Sequence, residues 1–236
     1  MRKVLGVGKL MLMLFFVMLL YGCSIGAAKR SPEEWLSLSY SGLAATDQYA
    51  FTGSTSMKTA DGLEFKPETF QGKVVDHQQL TVQTSNKEPL HWNPLQVLES
   101  LNNSNAEVRL INDPNNPETV TLHITEKPAV SKEKWKKRLL EQLDQLGTNE
   151  PSGETPYKED WLKELARSRK QLENRLASMQ AKTEYELIID RNRILPLKMD
   201  EKTVFSYINN GRKATEERFT TVRFQAFDGT PSGTIQ

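Results

Sequence analysis

Apolar and polar residues follow two periods along the chain, and the period changes several times. In four segments the apolar residues recur every three or four positions, which predicts amphipathic helices. These segments are 32–46, 93–101, 131–147 and 158–181. Elsewhere the apolar residues alternate with polar ones, which predicts strands. The predicted strands are 49–57, 63–65, 70–76, 79–83, 106–111, 119–125, 185–189, 194–199, 203–208, 214–219 and 221–227.

Local signals set the ends of several elements. Ser31-Pro32 and Asn93-Pro94 each combine a good N-cap with a proline suited to the first helical turn. Gly147 is a natural C-cap for the third helix. Asn210-Gly211 is the strongest hairpin turn in the sequence, and Asp61-Gly62 predicts a second turn.

The order of these elements predicts the fold class. Helix, strands, short helix, strands, helical pair and strands follow one another, which indicates an α+β protein with one large antiparallel sheet. A twisted sheet of eight or more strands tends to curl. We therefore expect a half-barrel that covers the helices, with the helical pair 131–181 inserted before the last strands.

The first 23 residues have the three parts of an export signal. A basic end containing Arg2, Lys3 and Lys9 precedes the apolar run 10–20, and Gly22 stands before Cys23. The apolar run is too short to span a bilayer, which takes about 20 apolar residues. A retained membrane anchor, or an ordinary secretory signal followed by a chance cysteine, are the alternatives.

Leu20-Tyr21-Gly22-Cys23 resembles the lipobox of bacterial lipoproteins. That resemblance implies cleavage before Cys23, lipidation of its thiol, and a place on the extracytoplasmic side of the cell membrane. Two acyl chains give stable anchoring, whereas one binds only marginally. We accordingly divide the chain into a signal peptide (1–22), the lipidated cysteine and its tether (23–30), a single domain (31–228) and a flexible tail (229–236).

Charge and motifs restrict the function of the body. Loss of three basic residues with the signal leaves 28 basic residues against 30 acidic ones, so the body lacks the basic excess of a nucleic-acid binder. Cys23 is the only cysteine, so no internal disulfide forms. The histidines are scattered, and the sequence has no nucleophile elbow, zinc-protease or phosphate-loop motif. We predict no cofactor, no metal and no enzymatic activity.

The body resembles the LolA/LolB-type lipoprotein carriers and the LppX/LprG-type lipid-binding lipoproteins. The resemblance rests on the amino-terminal helix, the strand beginning Tyr49-Ala-Phe51-Thr-Gly53, the helix 93–101 and the segment 185–199. It implies a curved sheet around an apolar cavity that binds a lipid or an apolar segment of a partner.

Two hypotheses follow for the body. The first is a non-catalytic binding or carrier module with an apolar cavity, whose candidate lining residues are Trp35, Phe51, Trp135, Trp161, Tyr185 and Leu187. For the tryptophans, ordinary core packing is the alternative. The second hypothesis is a structural or regulatory lipoprotein that docks an envelope or membrane protein through the helical pair.

Overall fold

The computed structural model describes residues 30–77, 79–84, 93–111, 116–148 and 156–228. These residues form an α+β fold with four helices and eight strands. The helices are α1 (Pro32–Ala44), α2 (Pro94–Asn103), α3 (Pro128–Thr148) and α4 (Pro156–Ser178). The strands are β1 (Tyr49–Lys58), β2 (Glu68–Val75), β3 (Gln79–Thr84), β4 (Glu107–Ile111), β5 (Thr119–Thr125), β6 (Gln180–Asp190), β7 (Pro196–Asn209) and β8 (Arg212–Gln225). The predicted signal peptide, Cys23 and the tail 229–236 lie outside the described residues.

The eight strands form one open antiparallel sheet in the order β3-β2-β1-β8-β7-β6-β5-β4. Neighbouring strands in the sheet are consecutive in the sequence, except β1 and β8, whose pairing joins the early and late parts of the body. The edges are β3 and β4. By their contacts, the described residues from Pro32 onward form one compact unit. None of the four described helices combines the length and apolar character needed to cross a bilayer.

Two local predictions are confirmed. Asn93 caps α2, because its side-chain oxygen accepts hydrogen bonds from the backbone N–H groups of Leu95 (2.9 Å) and Gln96 (3.4 Å). Asn210 and Gly211 both have positive φ, 49° and 75°, and they join β7 to β8. Positive φ at both central residues is the requirement of the two-residue turn that matches strand twist.

The predicted ends of the helical pair are wrong. The third helix begins at Pro128 rather than Ser131, since a proline is tolerated in the first turn, where its missing N–H has no helical partner. Gly147 lies inside this helix and does not cap it. The fourth helix ends at Ser178 because Gln180 already pairs with Ser206 in the sheet. The pair therefore spans 128–178.

Several strand predictions are also wrong. Residues 63–65 form no strand and contribute only an isolated bridge between Lys58 and Glu64, and Pro67 follows closely. The predicted pairs 194–199 with 203–208, and 214–219 with 221–227, are the single 14-residue strands β7 and β8. Polar residues such as Glu201 and Thr220 interrupt the apolar alternation in the sequence, yet they continue the sheet.

The helices pack against one face of the sheet, which we call the covered face. Odd-numbered residues of β1, β6 and β7 and even-numbered residues of β2, β5 and β8 point to this face. α1 and α2 cover one part of it, and α3 and α4 another. α3 and α4 run antiparallel, since Asp144 contacts Arg169 and Gly147 lies beside Leu165, whereas the earlier Leu139 packs in one cluster with the later Leu172.

Two apolar clusters form the core on the covered face. The first cluster lies beneath α1 and α2 and includes Trp35, Leu36, Leu43, Tyr49, Phe51, Phe70, Leu98, Leu101, Leu122, Tyr185, Leu187, Val222, Phe224 and Phe227. The second cluster lies beneath the base of the helical pair and includes Trp135, Leu172, Leu176, Met179, Ala181, Phe205 and Tyr207.

Candidate binding site on the covered face

Aromatic rings form the centre of the first cluster. The ring centroid of Tyr49 is 6.4 Å from that of Phe51 and 6.3 Å from that of Phe224, and Phe51 is 6.4 Å from Phe70. These spacings are typical of tilted and edge-to-face aromatic pairs. The rings come from β1, β2 and β8, so this part of the covered face presents a continuous apolar surface to α1 and α2.

Two glycines make this ring packing possible. A Cβ atom at Gly72 would lie 2.2 Å from Cζ of Phe51, and one at Gly53 would lie 2.3 Å from Cζ of Phe70. Each ring therefore lies across the neighbouring strand at a position without a side chain. A glycine inside a strand often marks such a close approach.

Two hydroxyl groups are buried without a hydrogen-bond partner among the described residues. They are Oγ of Ser39, on α1, and the phenol oxygen of Tyr49, at the start of β1. Burial raises the pKa of Tyr49 above its ordinary value, so its phenol stays neutral. A buried polar group without a partner costs about 1–3 kcal/mol, which makes both hydroxyls exceptional in a folded core.

The second cluster is built around Trp135. Its indole meets the Phe205 ring edge-on, with centroids 5.0 Å apart and planes at 90°. The indole N–H donates to Oγ1 of Thr183 at 3.2 Å, so the buried donor is satisfied. Trp135 thereby attaches α3 to β6 and β7.

A polar band crosses the covered face between the two clusters. It consists of two rows of side chains that are neighbours in the sheet register, namely Glu68, Thr55, Thr220, Glu201 and Tyr185 in one row, and Arg218, Thr203 and Thr183 in the other. Hydroxyl pairs link adjacent strands, Thr55 to Thr220 at 3.2 Å and Thr183 to Thr203 at 3.0 Å. We call this set the polar band.

A hydrogen-bonded network holds α3 against one end of the polar band. The Glu126 carboxylate, which is fully buried, accepts from Oγ of Ser131 at 2.7 Å and from Nζ of Lys134 at 2.5 Å. Lys134 also donates to the phenol oxygen of Tyr185 at 2.7 Å. Burial, together with the negative charges of Glu201 and Glu126, raises the pKa of Tyr185 well above its ordinary value.

Two arginines lie beside the same tryptophan. The guanidinium carbons of Arg138 and Arg218 are 4.8 Å and 5.2 Å from the centroid of the Trp135 ring, within the range of a cation–π contact. Burial and the like charge of Arg138 lower the pKa of Arg218 to about 10, and Glu201 and Glu68 act in the opposite direction. Nε of Arg218 is buried without a hydrogen-bond partner among the described residues.

The structure brings together four of the six candidate lining residues. Trp35, Phe51, Tyr185 and Leu187 belong to the first cluster, and Trp135 belongs to the second. These five are buried by protein atoms in this conformation, so lining a cavity requires the helices to move away from the sheet. Trp161 is only partly buried, on α4, and is in neither cluster.

The polar band is the part of the site that sequence reasoning missed. In a strand, every second residue points to the same face. Continuing this alternation through the polar residues of β7 and β8 would have placed Glu201 and Arg218 on the covered face. Glu126 directly follows the last residue of β5, and the same alternation would have placed its side chain on the covered face.

The opposite face of the sheet carries polar open grooves. One, of about 520 Å³, is lined by hydroxyl and amide side chains of β1–β3 and β8, including Thr52, Gln71 and Gln83. A smaller groove of about 270 Å³ shares those three residues. A third, of about 380 Å³, is lined by charged residues that include Glu184, Lys198 and Lys202. None of the three is lined mainly by apolar side chains.

Within the described ranges, no group of three or more histidine, cysteine, aspartate or glutamate side chains is placed to hold a metal ion. His77 contacts Asp47 instead, with its Nε2 atom 2.8 Å from a carboxylate oxygen. Comparison with protein-family models and with curated proteins finds no match to this chain.

Proposed function

We propose that the protein is a membrane-anchored extracytoplasmic lipoprotein, lipidated at Cys23, whose body binds a lipid or another apolar ligand without catalysis. The apolar surface of the first cluster and the two helices above it support this proposal. In this proposal the sheet curves as a half-barrel over the helices. The ligand then enters between the sheet and α1 and α2.

The observation that carries the proposal is the pair of buried hydroxyls without partners, on Ser39 and Tyr49. Ser39 is fully buried on α1, and the Tyr49 ring on β1 packs against the aromatic rings of the first cluster. Hydroxyl donors at such a place suit an oxygen atom that an otherwise apolar ligand carries along its chain. Binding would then supply the missing hydrogen bonds.

Native mass spectrometry of residues 24–236 tests the proposal. We expect the purified body to carry a lipid, or to take up phosphatidylglycerol after delipidation. Tyr49→Phe should retain less of the co-purified lipid while remaining at least as stable as the wild type, because it removes an unsatisfied buried hydroxyl. Tyr40→Phe, on α1 at the edge of the first cluster, is the matched control and should bind normally. Repeated preparations that carry no lipid and take none up would refute the carrier function.

A second candidate function is supported by the far half of the helical pair. The buried side chains of α3 are Ser131 and Trp135, both near its start, and the buried apolar side chain of α4 is Leu176, near its end. Beyond them, Leu146, Tyr157 and Leu162 are 54%, 75% and 45% exposed. Apolar surface projecting from a charged helical pair is typical of a contact with another protein. We propose an envelope protein as that partner.

Site-specific photo-crosslinking in the membrane-anchored protein tests this second function. A crosslinker in place of Leu162 should give one discrete protein adduct, and one in place of Lys170, on an exposed position of the same helix, should not. Equal patterns from both positions would argue against docking by the helical pair.

A further inference from the structure

The polar band and the α3 residues beside it contain charges that are not neutralised by direct contact. Arg138, Arg218 and Glu201 take part in no ion pair with another described residue, and Glu201 accepts only a 3.5 Å hydrogen bond, from Thr203. Glu126 differs, because Lys134 pairs with it directly. Partly buried charges without partners are costly and commonly have a functional reason.

The two arginines are held in one place. Trp135 is fully buried and fixed by its hydrogen bond to Thr183, and both guanidinium groups contact its ring. Arg138 projects from α3 and Arg218 from β8, so the two positive groups approach from different elements. Both arginines are half-buried, so part of each side chain is accessible to a ligand.

The two arginines lie next to the first cluster in the direction of β8. Arg218, Thr220, Val222 and Phe224 point in turn to the covered face. A strand rises about 3.3 Å per residue, so Arg218 is about 13 Å from Val222 along the strand. A ligand with its apolar part in the first cluster would thus present its polar end to the two arginines.

We infer that Arg138 and Arg218 form a binding site for a phosphate group, namely the headgroup phosphate of a lipid whose acyl chains occupy the first cluster. Guanidinium groups bind phosphate oxygens in a bidentate manner, and a pair of them favours an anion between two like charges. Thr55, Thr203 and Thr220 supply neighbouring hydroxyl groups. The inference rests on the proposed lipid-binding function and adds the chemical class of the headgroup.

The test uses residues 24–236, which contain every described residue of both clusters. Native mass spectrometry compares the binding of phosphatidylglycerol with that of diacylglycerol with the same acyl chains. Calorimetry measures the binding of inorganic phosphate. The variants are Arg138→Gln and Arg218→Lys; the latter keeps a charge beside Glu201, so that folding is preserved. The matched control is Arg109→Gln, an exposed arginine on β4 paired with Glu107.

We expect phosphatidylglycerol to bind at least about tenfold more tightly than diacylglycerol. Arg138→Gln should reduce its binding to the diacylglycerol level, Arg218→Lys should weaken it because lysine cannot bind phosphate in a bidentate manner, and Arg109→Gln should have no effect. Equal binding of the two lipids by the wild type would overturn the phosphate site and leave the carrier function intact. If no lipid binds but inorganic phosphate does, and the two variants weaken that binding, the phosphate site is supported and the carrier function fails. Absence of both lipid and phosphate binding overturns both.

Discussion

Gly72 shows how a single residue without a side chain shapes the core. The Phe51 ring lies over this position, and the ring is fully buried between β1 and β2. A larger residue at position 72 would compete with the ring for the same space. The aromatic centre of the first cluster thus depends on a glycine in the neighbouring strand.

We predict that Gly72→Ala destabilises the body by about 1–3 kcal/mol, because the added methyl group forces a packed ring out of place. Urea unfolding of residues 24–236 measures the change. The double variant Gly72→Ala/Phe51→Leu should recover part of the loss, since leucine leaves room for the methyl group. A single variant as stable as the wild type would show that the ring moves freely.

The contribution of Tyr207 to the stability of the folded body depends on pH in the alkaline range. Its hydroxyl donates to the Glu216 carboxylate at 2.6 Å. Burial, then this hydrogen bond and the negative charge of Glu216, raise the pKa of Tyr207 to about 12. Because the folded state holds the proton more tightly than the unfolded state, this contribution to stability is complete below pH 10. It is lost as the pH rises from 10 to 12.

We therefore expect Tyr207→Phe to be less stable than the wild type by about 1 kcal/mol at pH 8, through loss of one hydrogen bond. The difference should shrink at pH 11, where the wild type alone loses the contribution of Tyr207. Urea unfolding at pH 8 and at pH 11 measures this difference in the free energy of unfolding. Tyr157→Phe, at a mostly exposed position, is the control and should match the wild type at each pH. A difference that is the same at pH 8 and 11 would contradict the assignment.

At the scale of the element, α2 depends on a signal that is visible in the sequence. Asn93 satisfies two backbone donors at the start of the helix, and Leu98 and Leu101 then pack fully buried in the first cluster. A short helix has little stability of its own, so most of the stability of α2 comes from its cap and from its buried face.

Asn93→Ala should lower the free energy of unfolding by about 1 kcal/mol, since two backbone N–H groups lose their acceptor. Chemical denaturation followed by circular dichroism measures this loss. Glu99→Ala, at an exposed position of the same helix, should change stability by less than about 0.5 kcal/mol. Equal effects from the two substitutions would mean that the cap contributes nothing specific.

At the scale of the whole molecule, the lipid anchor that we propose at Cys23 would determine where the body meets a ligand. Two acyl chains would make that attachment stable.

We predict that the wild-type protein incorporates radiolabelled palmitate and sediments with membranes. Cys23→Ser should incorporate none, because it lacks the thiol that carries the lipid. The measurement is autoradiography of membrane and soluble fractions, with the purified body as the soluble reference. Equal sedimentation of the variant and the wild type, without label in either, would exclude lipid anchoring and favour a retained apolar anchor.

Several local features of this protein can be predicted from short stretches of its amino-acid sequence. The alternation of β5, the Asn93-Pro94 start of α2 and the Asn210-Gly211 turn are visible in the residues, because propensities, caps and turn dihedrals act over a few neighbours. The predicted Gly147 cap is wrong: Gly147 does not have the positive φ of a glycine C-cap, and the helix continues to Thr148.

Which residues share the candidate site depends on the strand order and helix packing of the folded chain. Pairing of β1 with β8 places Arg218 beside residues more than 150 positions earlier, and α3 then adds Arg138 and Trp135. No local pattern specifies such a meeting, because it depends on strand order and register across the whole sheet. Burial likewise followed from packing: Trp135 and Trp161 occupy similar apolar positions on their helices, yet only Trp135 meets the sheet.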